Sequence, residues 1–201
     1  MHEIKIYFDY TCPYCLIANA NVRRFQTRYS EVSFSWKPWE ILPEAPAEGL
    51  HLEFDSVSPR LAKLAEEAGM WLRAPSIQPN SHLALLGLFY AREKQKFQEY
   101  HNAVFDALWN NDENIGQPAT LTRIVDKTGL DPLDFKSVIA DHKGKYEQML
   151  AGSERDAEID SIKLAPTFMF GEKQIVGNVS ARRIEKFIAR AGALRVTRRP
   201  R

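Results

Sequence analysis

Cysteine is nearly absent from this chain: its 201 residues contain two, Cys12 and Cys15. So small a supply excludes a disulfide-stapled framework, and with both in one short motif no second pair exists to complete a tetra-thiolate zinc site. Five histidines, His2, His51, His82, His101 and His142, could supply ligands. None stands at metal-ligand spacing from another, so each is read as a surface or packing residue, and no metal is expected. Long apolar runs are missing too; nothing approaches the length needed to span a bilayer. Nor is there an excess of charge: 27 Lys and Arg against 26 Asp and Glu leave a formal +1, which gives no electrostatic case for nucleic acid. The basic end, Arg195 to Arg201, reads as a solvated tail. No basic segment with an apolar core precedes the first strand, so with Met1 as the native start a cytoplasmic protein is expected.

Composition is that of an ordinary globular protein, 44% hydrophobic and 26% charged. Alternation over residues 3–8 predicts a strand, residues 13–29 a helix and residues 32–37 a second strand, a β-α-β start whose crossover makes the strands parallel. A proline-rich loop follows over 38–49. About a hundred residues then carry apolar side chains at helical spacing, with Asn80 or Ser81, Thr120 and Asp131 as N-caps and Gly69 and Gly129 as stops. After a helix near 145–161, strands return at 167–170 and 174–176, joined as an antiparallel hairpin through Gly171-Glu172. Ser180 caps a last helix, 181–190. This order predicts an α/β, thioredoxin-like fold, a central mixed sheet flanked by helices and interrupted by a large helical insertion: residues 1–50 and 162–201 form the core and 51–161 the insertion.

Between the first strand and the first helix stands Cys12-Pro13-Tyr14-Cys15. A cysteine at a helix N-terminus faces unpaired backbone N–H groups and the positive end of the helix dipole, which favour the thiolate, the nucleophilic form. Two intervening residues let the second sulfur reach the first, so a mixed disulfide can be resolved within the molecule. Pro13 suits the first helical turn, where its missing N–H costs little. Cys12, preceding the helix, is expected to carry the freer sulfur and to attack; Cys15, one turn inside, to resolve.

Phe8-Asp9-Tyr10-Thr11-Cys12-Pro13-Tyr14-Cys15, Leu164-Ala165-Pro166-Thr167-Phe168 and the helical insertion between them resemble the DsbA family, most closely its FrnE-like cytoplasmic branch of protein disulfide oxidoreductases. The resemblance spans nearly the whole chain. It implies thiol–disulfide exchange with protein or small-thiol substrates, with glutathione or a protein thiol as a redox partner and no resident cofactor. It also implies a cis peptide bond before Pro166, opposite the dithiol, with Ala165 and Thr167 beside it shaping a docking surface. Two residues depart from the family pattern. Ala165 replaces a frequent valine or threonine, and Pro13-Tyr14 replaces the Pro-His of the periplasmic oxidants and looks more like glutaredoxins. The direction of electron flow is open at this stage.

Asp9 is read as tuning the thiolate or assisting proton transfer, or else as a loop cap. Asn80, Ser81 and His82 stand where related sequences place an Asn-Ser/Thr pair near the cleft, as a helix cap or as substrate contacts. Trp36, Trp39 and Trp71 are candidates for a peptide groove, or core residues. Residues 177–180 precede the last helix, whose N-terminus is able to hold a carboxylate such as that of glutathione. Two alternatives remain. Glutathione-dependent 2-hydroxychromene-2-carboxylate isomerases and kappa-class transferases share the inserted architecture, although they usually carry serine at the first motif position and lack the second cysteine. The other is a chaperone or peptide-binding module that does not use its cysteines.

Overall fold

Ile4, Ile6 and Phe8 alternate with Lys5 and Tyr7 in β1 (His2–Phe8), and both faces of the strand are used. The first three are fully buried against the helices that follow. On the other face Lys5 and Tyr7 both reach Asp160, at 2.9 and 2.6 Å, and Tyr7 packs with Ala157, Ile162 and Met169. A strand covered on both faces belongs in the middle of a sheet.

The computed structural model describes residues 2–29, 31–52, 57–141, 144–177 and 180–191. Its main sheet has the order β2-β1-β5-β6, with β2 (Val32–Pro38) parallel to β1 and β5 (Thr167–Phe170) antiparallel to it on the other side. Here β5 and β6 (Lys173–Val176) form the expected hairpin, in which Gly171, at φ +57°, opens the two-residue turn. The remaining elements are α1 (Pro13–Gln26), β3 (Leu50–His51), α2 (Pro59–Glu67), β4 (Ile77–Gln78), α3 (His82–Glu93), α4 (Phe97–Trp109), α5 (Pro118–Lys127), α6 (Pro132–Ala140), α7 (Lys145–Ile159) and α8 (Ala181–Ala191). The fold is α/β and thioredoxin-like, with a helical block between β2 and β5.

At the centre of that block lies α3, buried continuously from Ala84 to Ala91 because α4, α6 and α7 all pack on it. Gly87 lets Tyr100 and Phe135 come close; a Cβ there would overlap the Tyr100 hydroxyl and sit 2.9 Å from the Phe135 ring. One apolar cluster runs from Ile4, Ile6 and Phe8 through Cys15 and Leu16 to Phe105 and Phe135, so sheet and helical block share a core.

Several local expectations need correction. The first helix ends at Gln26, not 29: the Arg28 and Tyr29 amides both turn back to the Phe25 carbonyl, and the Tyr29 hydroxyl donates to Glu185 of α8. Helix α5 begins at Pro118 with Gln117 as its cap, which places Thr120 inside the first turn; the fixed φ of proline and its missing N–H suit the first helical position. The helical run is broken by a small antiparallel pair, Leu50 opposite Gln78 and His51 opposite Ile77. Asp131 does cap α6, accepting from Leu133 N at 2.7 Å, and Gly69 and Gly129 take left-handed φ as helix stops. Among the described residues no helix is long and apolar enough to cross a membrane.

Candidate active site

Cys12 is the N-cap of α1, and Pro13 takes the first helical position. Both cysteines are free thiols; Cys12 is 5% exposed and Cys15 fully buried, so the first sulfur is the more accessible but is itself largely covered. Across the sheet from the motif, 153 residues along the chain, the Ala165 carbonyl accepts from Cys12 Sγ at 3.4 Å. The Ala165–Pro166 bond is cis, as the resemblance implies. Pro166 is tied to the end of β6 through its carbonyl, which accepts from Gly177 N at 2.9 Å. The structure thus brings together Cys12, Cys15, Pro13, Tyr14, Ala165 and Pro166.

Burial, above all, raises the Cys15 thiol well above an ordinary cysteine; the neighbouring Cys12 thiol and the charge of Asp9 push the same way, against a backbone hydrogen bond from Asp9. Asp9 itself is fully buried on the turn between β1 and α1. Its carboxylate accepts from Thr11 N at 2.9 Å, Thr11 Oγ1 at 3.0 Å, Ile41 N at 2.8 Å and Ser81 Oγ at 3.0 Å. Burial raises its carboxyl above the usual carboxylate range, and these donors oppose the rise.

Ser81, expected as a helix cap or substrate contact, does stand at the N-cap of α3, but its side chain makes no cap bond; it is 2% exposed and its hydroxyl serves Asp9. Asn80 ties the loop after β2 to α3: its amide donates to the Pro43 and Ala45 carbonyls and its oxygen accepts from His82 N. His82 lies between two carboxylates, Nδ1 3.1 Å from Glu40 and Nε2 3.0 Å from Glu147. The Glu40 contact, with help from Glu147, pushes its pKa up to about 9 against the effect of burial. Thr167 is 1% exposed and its hydroxyl donates to the Leu164 carbonyl at 2.6 Å, so it braces the turn and is not turned toward a ligand.

Trp36 is a core residue, edge-on to Phe8 with ring centroids 5.2 Å apart. Trp39 is half-buried against the Tyr7 cluster, and Trp71 is 89% exposed. The three do not form one groove lining. Ser180 begins α8 through its carbonyl, which accepts from Arg183 N and Ile184 N, while Asn178 and Val179 lie outside the described residues, as do His142 and the Arg195–Arg201 tail. Among the described residues no three His, Cys, Asp or Glu side chains cluster closely enough to hold a metal ion.

Sequence reasoning missed the bracing behind the motif. The Tyr10 hydroxyl meets His101 Nδ1 at 3.1 Å, and Trp109 Nε1 donates to the Tyr10 carbonyl at 2.9 Å, both from α4. His101 is fully buried among Phe8, Tyr10, Trp36, Phe97 and Phe105, and burial holds its pKa well below that of an ordinary histidine. The one signal available was the helical spacing of His101 with Phe97, Val104 and Phe105, which placed it on an apolar face.

Comparison with known proteins bears on the family and the fold. The protein YwbO of Bacillus subtilis (strain 168), itself uncharacterized, is 30% identical over 200 residues, covering 93% of this chain and 96% of that protein. The crystal structure of the probable DsbA oxidoreductase SCO1869 from Streptomyces coelicolor superposes with a TM-score of 0.84 at 16% identity, covering 100% of this chain and 94% of that one. A 2-hydroxychromene-2-carboxylate isomerase superposes with a TM-score of 0.71 at 18% identity, covering 94% of each chain. At these identities the two structures speak for the fold alone. The profile of the DSBA-like thioredoxin domain matches residues 3–189, and the chain belongs to that family.

Proposed function

We propose that this chain is a thiol–disulfide oxidoreductase in which Cys12 attacks and Cys15 resolves, within the FrnE-like branch of the family. The observation that carries this reading is the placement of Cys12 Sγ against the Ala165 carbonyl, at the mouth of α1 and beside Pro166. A peptide paired along Ala165 would lie within reach of that sulfur. Cys12 as thiolate attacks one sulfur of a substrate disulfide; the S–S bond breaks and its electron pair leaves on the other substrate sulfur, which takes a proton. Cys15 then attacks Cys12 Sγ, closes the Cys12–Cys15 bond and releases the second substrate sulfur as a thiol. The Cys15 thiol, held up by burial, has to lose its proton for this step, and Asp9 is the buried carboxylate beside it. Pro13 and Tyr14 shape the first turn, and residues 51–161 act as an inserted helical subdomain over the thioredoxin-like core.

The reading needs no resident cofactor, and it places protein disulfides or thiols, and glutathione, as exchange partners in the cytoplasm. A 2-hydroxychromene-2-carboxylate isomerase shares the fold, but both motif positions here are cysteines. Cys12→Ser is expected to abolish reduction of insulin disulfides while leaving the fold intact by circular dichroism. A Cys12→Ser protein that retains full exchange activity would overturn the assignment.

A further inference from the structure

Resting on the exchange reading above, we propose that the Cys12–Cys15 pair works as an electron donor, a reductant of disulfides and not a disulfide-forming oxidant. A dithiol is a strong oxidant when the protein stabilises its reduced form, chiefly by favouring the thiolate of the attacking cysteine with backbone donors or cations. The first turn of α1 offers few free donors and no cation.

The donors at the mouth of α1 are largely unavailable. Cys12 N donates to the Asp9 carbonyl at 3.3 Å, Pro13 has no N–H, and Cys15 N donates to the Cys12 carbonyl at 3.0 Å. Three of the four positions that would otherwise present N–H groups at this helix end are therefore engaged or empty. Next to the Cys12 sulfur the structure puts an acceptor, the Ala165 carbonyl at 3.4 Å. A thiol donates to a carbonyl, whereas a thiolate there faces a lone pair. The ionisable groups acting on Cys15 are Cys12 and Asp9, both acids, and the first turn of α1, Pro13-Tyr14-Cys15-Leu16, contains no base. Arg23 and Arg24, the basic residues of α1, stand at its far end. Burial of the Cys15 sulfur works against charge there as well.

The electrons balance within the pair. Two thiols of the protein are oxidised to one disulfide, one substrate disulfide is reduced to two thiols, and two protons pass to the substrate sulfurs. A second thiol or dithiol donor then returns the pair to its reduced state.

The test is the equilibrium constant for electron transfer from the full-length protein to glutathione disulfide, read by mass-resolved alkylation at several pH values. Without a thiolate stabilised in the reduced pair, the constant should favour the oxidised protein, and exchange between a fully protonated dithiol and glutathione consumes no net proton, so it should vary by less than about twofold from about pH 5.5 to about pH 7.5. Tyr14→His, which puts a titratable cation in the first turn, should lower it by about tenfold or more and make it fall with pH. In parallel the reduced protein should reduce insulin, and the oxidised protein should form no disulfides in a reduced, unfolded protein. A wild-type constant that falls about tenfold per pH unit, or oxidised protein that readily forms those disulfides, would overturn the reductant assignment while leaving exchange itself intact. The absence of any reversible couple would overturn both.

Discussion

Asp9 holds a carboxylate where solvent does not reach, and four donors from three segments converge on it. Such a group has two possible uses: fixing the turn that carries Cys12, and taking the Cys15 proton. Asp9→Asn separates them. Asparagine keeps one acceptor oxygen but loses the base, so stability should drop by about 1–3 kcal/mol in denaturant titrations. Resolution of a Cys12 mixed disulfide should slow by about 10²-fold while the initial attack changes little. Rapid quenching followed by alkylation and mass spectrometry resolves the two steps; equal slowing of both would confine Asp9 to positioning. At this scale the motif and Pro166 were legible in the sequence because each is a local signature. The partners of Asp9 were not: Ile41 and Ser81 lie 32 and 72 residues away, and an isolated serine before a helix reads as a cap.

Helices and loops are tied together around the same turn. Ile41 and Ser81 each hold Asp9, and their chain neighbours Glu40 and His82 hold one another, with Glu147 of α7 completing the clamp. Its strength depends on the charge of His82. The pKa of His82 is raised from 6.5 to about 9 on folding, so its contribution is fully present below the unfolded value and is lost as pH rises through about 9. His82→Gln should therefore cost about 1 kcal/mol near neutral pH, a modest figure because the ring is one-third exposed, and next to nothing at about pH 10. Thermal melts of both proteins across that range check this; parallel pH profiles would contradict it. Strands and long helices were readable from periodicity, since β1 and α1 bury regular faces. The two-residue strands β3 and β4 were not, because so short a pair has no period to show, and Thr120 misled because proline at the first helical position displaced the cap.

Over the whole molecule, the order β2-β1-β5-β6 explains how a motif at one end of the sequence meets a proline near the other. Central β1 delivers Cys12 at its C-terminal end, and antiparallel β5, entering beside it at Thr167 opposite Tyr7, delivers Ala165 and Pro166. The helical block shares the core and sends α3, α4 and α7 to brace the same turn, through Ser81, His101, Trp109 and Glu147. The β-α-β start and the terminal hairpin made the topology legible; the bracing was not, because it depends on which helix faces meet. If this assembly exists to let Cys12 attack a bound disulfide, removing the resolving sulfur should arrest the reaction midway. The most direct measurement is mass spectrometric mapping of Cys15→Ser after incubation with a disulfide-linked peptide. A stable mixed disulfide on Cys12, released by added dithiol, is expected; a Cys15→Ser protein that exchanges disulfides without ever carrying a peptide on Cys12 would rule out Cys12 as the attacking sulfur.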